Sequence, residues 1–122
     1  MFKKILATGM LSLSLVSTLG SLSGEASTLS VTPSSQNLYN AYDTASWTVS
    51  ATGVKPLNLM FKYDSNATYD KINSQWTGAS FTYRKSYDLG SLSYKYWYPT
   101  FTVTDYYGAQ ASKNVSIYHR RY

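Results

Sequence analysis

Apolar and polar residues alternate with period two through most of the chain beyond residue 26. Leu57, Leu59, Phe61 and Tyr63 interleave with Asn58, Met60, Lys62 and Asp64. Trp47, Val49 and Ala51 interleave with Ser46, Thr48, Ser50 and Thr52. Phe101 and Val103 sit among Thr100, Thr102 and Thr104, and Val115 and Ile117 among Asn114, Ser116 and Tyr118. A spacing of two places each apolar set on one face of a strand, turned toward a core. The residues that fill these runs, Thr, Val, Tyr and Phe, suit a pleated, half-buried surface. No window of useful length carries helical spacing.

Turn-forming clusters separate the runs, at 33–37, 52–56, 64–66, 73–78, 88–91 and 105–108. The pattern predicts strands near 28–32, 45–52, 56–63, 79–88, 94–104 and 109–119, with a weaker one near 68–72. About seven short strands divided this way predict an all-β chain, an antiparallel sandwich rather than a small barrel. Trp47, Phe61, Phe101, Val103, Val115 and Ile117 are the expected core between the sheets. The segment Asp105-Tyr-Tyr-Gly108 is the clearest hairpin turn, because Asp caps backbone N–H groups and Gly takes positive φ without steric cost. Pro99 falls inside the strand at 94–104. It has no N–H for a ladder, so it marks a bulge or the true start of the strand.

The segment YWYPTFTVTDYYGAQAS, residues 96–112, resembles the penultimate strand, turn and last strand of PKD-like and related bacterial Ig-like domains. Trp97, Phe101, Val103, Asp105 and Gly108 carry that resemblance. FKYDSN at 61–66 is similar to the family's aromatic turn at Phe61, Tyr63 and Asp64, without its glycines. The resemblance spans most of 28–119 and implies a sandwich. It implies no catalytic residue, since such domains are spacers, adhesion modules or glycan binders, and a fold does not fix a function.

The first 26 residues have a different grammar. Lys3 and Lys4 precede an apolar run from Ile5 to Leu19, and Gly24 and Ala26 stand at the small-residue positions before a cut at Ser27. This is the pattern of a secretory signal peptide. The run is diluted by Thr8, Ser12, Ser14, Ser17 and Thr18 and falls short of the roughly 20 apolar residues of a membrane span. The expected organisation is a signal peptide at 1–26 and a single domain at 27–122, secreted, with no stable membrane insertion after cleavage.

Composition narrows the chemistry. With no cysteine there is neither a disulfide nor a thiolate metal site. A chain of 122 residues with 16% aromatics, 13 of them tyrosine, raises buried area per residue through large side chains instead. The charge of +5 favours anionic surfaces, but the cations are scattered as on solvated strand faces. Charge with stacking aromatics is also a nucleic-acid signature; export argues against that partner.

Catalytic signals are poor. His119, the single histidine, is read as a surface residue at a frayed end beside Arg120 and Arg121. Asp64, Asp88 and Asp105 fall at turns, where Asp ordinarily caps backbone. Asp64, Asn66 and Asp70 have oxygen ligands at alternate spacing but lack the acidic density and glycine of a calcium loop. The expectation is therefore no enzyme activity, no cofactor and no metal.

The tyrosines carry the functional expectation. Tyr94, Tyr96 and Tyr98 alternate with Lys95 and Trp97, so one of the two sets faces solvent. Tyr106 and Tyr107 occupy a turn tip. Exposed tyrosines offer flat apolar faces with a polar edge; buried or cross-strand stacking is the bland alternative. The candidate binding residues are Tyr94, Tyr96, Tyr98, Tyr106 and Tyr107, with Lys95 and Arg84 adding attraction to an anionic polymer. The expected partner is an extracellular polysaccharide, cell wall or surface protein. A secreted antagonist, antibacterial or hydrolase-inhibiting, is the alternative.

Overall fold

The computed structural model describes residues 27–121, and the signal segment expected at 1–26 lies outside them. The described chain is all-β, with no helix. Its strands are β1 (Thr28–Thr32), β2 (Ser35–Leu38), β3 (Tyr42–Thr52), β4 (Leu57–Lys62), β5 (Tyr69–Trp76), β6 (Phe81–Asp88), β7 (Tyr94–Trp97), β8 (Thr100–Thr104), β9 (Gln110–Asn114) and β10 (Ser116–Arg120). They form three sheets, ordered β1-β3-β6, β5-β4-β8-β9 and β2-β10-β7. Every pairing is antiparallel except that of β2 with β10, which is parallel.

The last two sheets share their chain. The strand expected at 94–104 divides at Pro99, β7 pairing in one sheet and β8 in the other. The strand expected at 109–119 divides at Val115 in the same way. The two breaks meet, because the Val115 N–H donates to the Pro99 carbonyl at 3.0 Å. A residue without an N–H is thus placed where the ladder changes sheet and loses nothing by lacking one.

Period-two alternation fixes which faces meet. Trp47 on β3 reaches Phe61 on β4 and Phe101 on β8, with ring centroids 5.6 and 5.3 Å apart. Tyr83 on β6 completes this cluster, 4.9 Å from Phe61. The sheet β1-β3-β6 therefore packs on β5-β4-β8-β9 through four aromatic rings. Leu57, Leu59, Val49, Val103, Val115 and Ile117 fill the space around them, all buried. Aromatic pairs at such separations add about 0.5–1.5 kcal/mol each beyond the area they bury. The Trp47 Nε1–H has no hydrogen-bond partner in this cluster; nothing in the packing explains why an indole stands there.

Three expectations need correction. The segment 33–37, read as a breaker, contains most of β2. Ser-Gln-Asn-Leu has little strand propensity of its own and is held by its ladder to β10, Ser35 opposite Ser116 and Leu38 opposite His119. The weak strand at 68–72 runs on to Trp76. Its register against β4 shifts on either side of Leu59, so it bulges and leaves most of its residues exposed, which blurs its pattern. His119 is not a frayed surface residue: it is fully buried.

The hairpin turn is as expected. Asp105 Oδ1 accepts from the N–H of Tyr107 and of Ala109, both at 2.9 Å, and Gly108 has φ +91°. The Asp105 Oδ2 accepts from Val54 N–H at 3.3 Å, tying the turn to the loop before β4.

Candidate binding surface

The alternation of β7 is settled by Trp97. Its ring is buried against Tyr87, 4.9 Å between centroids, and lies 6.3 Å from Tyr63. Its Nε1–H donates to His119 Nδ1 at 3.2 Å. With Nδ1 accepting, the imidazole carries its proton on Nε2, which donates to the Asn40 carbonyl. Both ring nitrogens are committed, and β7, β10 and the end of β2 are locked together from beneath. Tyr87 belongs to the same inner layer; its hydroxyl donates to the Tyr63 carbonyl at 2.8 Å. Burial, and then the Asp64 charge, hold that hydroxyl far above its ordinary pKa.

Trp97 inward means Tyr94 and Tyr96 outward, and they are 57% and 52% exposed. On β10, Ile117 and His119 point in, so Ser116, Tyr118 and Arg120 lie on the outer side. The ladder sets Tyr118 opposite Tyr96 and Arg120 opposite Tyr94. On the other side of β10, Asn37 stands opposite Tyr118 and Ser35 opposite Ser116. The three tyrosine rings touch: Tyr96 and Tyr118 are 4.8 Å apart, and Tyr94 lies 6.5 and 6.4 Å from them. Their planes are tilted, from 34° to 85°, so the cluster presents both ring faces and ring edges.

The seven residues expected to act together are not brought to one place. Tyr98 is exposed at the sheet change, its N–H donating to Asp64 Oδ1 at 2.9 Å. Tyr106 and Tyr107 form their own pair, 5.2 Å apart, on the turn beyond the far end of β8. The ten residues from Tyr96 to Tyr106 span on the order of 30 Å of extended chain. Arg84 lies on β6, opposite Ser46, in the sheet across the core. Lys95 is on the inner side of β7, its Nζ 3.6 Å from Asp64 Oδ2 and 4.7 Å from the Trp97 ring centroid. Among the described residues, β2 contributes Ser35 and Asn37 to the tyrosine face, β10 Ser116, Tyr118 and Arg120, and β7 Tyr94 and Tyr96.

Sequence reasoning overlooked Tyr118, Arg120 and Asn37. Tyr118 was visible as the outward member of its alternation. Its neighbours were not, because they come from strands distant in sequence.

Among the described residues, no group of three or more His, Asp or Glu is placed to hold a metal ion. No described helix is long and apolar enough to cross a membrane. Comparison with known protein families, with curated proteins and with solved structures gives no match.

Proposed function

We propose that the chain is a small secreted, non-enzymatic binding module that holds an extracellular polysaccharide or cell wall on the outer face of the β2-β10-β7 sheet. The observation that carries this reading is the convergence of Tyr94, Tyr96 and Tyr118 on one outward face, two of them more than half exposed. Tyrosine supplies contact area at low entropic cost and a hydroxyl at its rim, which suits a ligand with apolar ring faces and many hydroxyls. The rings are backed by a fixed floor of Trp97 and His119, so little ordering remains to be done on binding.

The same reading covers the fold and the compartment. The two-layer packing, with strands that cross between sheets, supports an Ig-like or PKD-like sandwich. The basic, apolar and small-residue segments of 1–26 support export. The non-enzymatic reading rests on how acid–base groups are used. Asp64 and Asp105 cap backbone, and both nitrogens of His119 are bonded within the fold.

The test is capture of the protein on insoluble peptidoglycan, chitin and cellulose. Tyr96→Ala is expected to weaken capture by roughly tenfold, the equivalent of about 1.4 kcal/mol, while the domain stays folded. Folded Tyr94→Ala and Tyr96→Ala variants that are captured as well as the parent would remove the tyrosines from the function.

A further inference from the structure

We infer that the end of the domain carrying Tyr106 and Tyr107 is a docking surface for a lipid bilayer, with the two rings in the headgroup layer of a membrane that bears anionic lipid. This surface is separate from the tyrosine face of β2-β10-β7 and does not rest on the polysaccharide reading. The two side chains are 64% and 69% exposed, and their ring centroids are 5.2 Å apart. Tyrosine at a bilayer surface keeps its ring against apolar carbon and its hydroxyl among headgroups and water, which is why it gathers there.

The turn that carries the rings is fixed before any contact. Asp105 accepts from the N–H groups of Val54, Tyr107 and Ala109, and the Tyr106 N–H donates to the Val54 carbonyl at 2.8 Å. These bonds bring the loop between β3 and β4 alongside, with Lys55 and Pro56 exposed in it. The first described residue arrives at the same end, where Ser27 Oγ donates to the Ala109 carbonyl at 3.1 Å. Residues 1–26, with the apolar run from Ile5 to Leu19, therefore join the domain beside the tyrosine pair. A chain held to a membrane through that run during export turns this end toward the bilayer.

Charge is placed to match. Asp105 is buried, and its oxygens are taken up by backbone N–H groups. The other acids described lie toward the opposite end of the strands. Asp64 follows the end of β4, Asp70 stands opposite Phe61, Asp88 opposite Tyr42 at the start of β3, and Asp43 opposite Tyr87. An anionic surface approaching the tip therefore meets Lys55 and, among the described residues, no exposed carboxylate. One lysine near such a surface is worth about fivefold in affinity. Two rings and one lysine make a peripheral, reversible contact and not an anchor.

The experiment uses the full chain and vesicles of phosphatidylcholine with and without phosphatidylglycerol, made with brominated acyl chains that quench tryptophan on contact. The native Trp47, Trp76 and Trp97 are buried. A Tyr107→Trp variant therefore adds a reporter at the tip, and Tyr94→Trp adds one on the outer face of β7. The vesicles are expected to quench the reporter at position 107 and not the one at position 94. Lys55→Gln, made in the Tyr107→Trp chain, should weaken binding to phosphatidylglycerol vesicles about fivefold and leave binding to phosphatidylcholine alone unchanged. Tyr106→Ser with Tyr107→Ser should leave capture on peptidoglycan, chitin and cellulose as it is in the parent. No quenching at position 107, equal quenching at both positions, or an affinity for phosphatidylglycerol vesicles that Lys55→Gln does not move would overturn the inference. Loss of polymer capture in the folded double variant would overturn it too, by assigning the tip to the polysaccharide. Thermal unfolding of each variant separates lost binding from lost fold.

Discussion

Two aromatic clusters of this molecule have nearly the same internal geometry and opposite surroundings. Trp47, Phe61, Tyr83 and Phe101 meet between the sheets, with neighbouring rings as close as 4.8 Å. Tyr94, Tyr96 and Tyr118 meet on the outer face of β2-β10-β7, also as close as 4.8 Å. Ring distance therefore says nothing about role. In the first cluster Trp47, Phe61 and Phe101 are buried, with Tyr83 half-buried at their edge, and the loss of a buried ring leaves a hole. In the second they rest on one strand pair and look into solvent, so their loss removes contact area that only a partner would use. A chain without cysteine uses one class of side chain both to fill its interior and to furnish its exterior.

That contrast can be broken or sharpened by mutation. The largest effect is expected from Phe101→Ala, which empties the inner cluster: roughly 3–5 kcal/mol of stability is lost, as for buried aromatics, measured by denaturant unfolding. A loss below about 1 kcal/mol would mean that the inner cluster is no more critical than a surface.

His119→Ala should come next, because His119 is the floor between the buried side and the tyrosine face. Its removal strands the Trp97 Nε1–H and the Asn40 carbonyl; a buried orphan costs about 1–3 kcal/mol, and the cavity adds to it. Unfolding curves and binding should suffer together here, unlike at Phe101 or Tyr96.

Tyr94→Ala and Tyr96→Ala are expected to change stability by less than about 1 kcal/mol, on the scale of cross-strand pairs, while reducing capture on polymer. A stability loss comparable to that of Phe101→Ala would erase the distinction between the clusters.

The smallest effect is at Asp43, next to the strand ends that carry the face. Backbone N–H groups of Tyr39 and Thr44 donate to its carboxylate and hold its pKa below the ordinary value of 3.8. The folded pKa is depressed, so the contribution exists above the unfolded pKa and disappears as pH falls through the folded one. Asp43→Asn should cost a little stability at neutral pH, within the roughly 0.5 kcal/mol of surface changes, and progressively less as pH falls through the lowered pKa. A cost that stays constant across a pH series of melts would show that charge is not the cause.

Much of the inner cluster was legible in the sequence, because period two is a local signal. Trp47, Phe61 and Phe101 each lie in a run whose alternate residues are polar, and all three are buried. The Pro99 discontinuity was legible for the same reason, since a missing N–H is a property of one residue. What stayed hidden depends on pairing between distant segments. β2 has no strand signal of its own and exists through β10. His119 looked terminal because nothing in Ser-Ile-Tyr-His-Arg-Arg announces that strands flank it on both sides. For the face, the alternation of Tyr94 and Tyr96 could be read but its direction could not. Trp97 decides it, by having Tyr87 and His119 to pack against. Arg84 and Lys95 were grouped with the tyrosines by charge and by nearness in sequence, and the register puts one across the core and the other beneath the strand.

The parallel ladder of β2 on β10 has a consequence for the order of assembly. Residues 35–38 are made early and residues 116–120 late, yet each is the other's neighbour. Contacts of such sequence separation close slowly and only after the chain between them exists. While the chain is still being made, β2 has no partner and the rings of Tyr94 and Tyr96 have no third. A chain cut short before Ser116 would keep the strands of the other two sheets and have no tyrosine face at all. The surface is thus the last part of the domain to come into being, and its presence certifies that everything before it has been made.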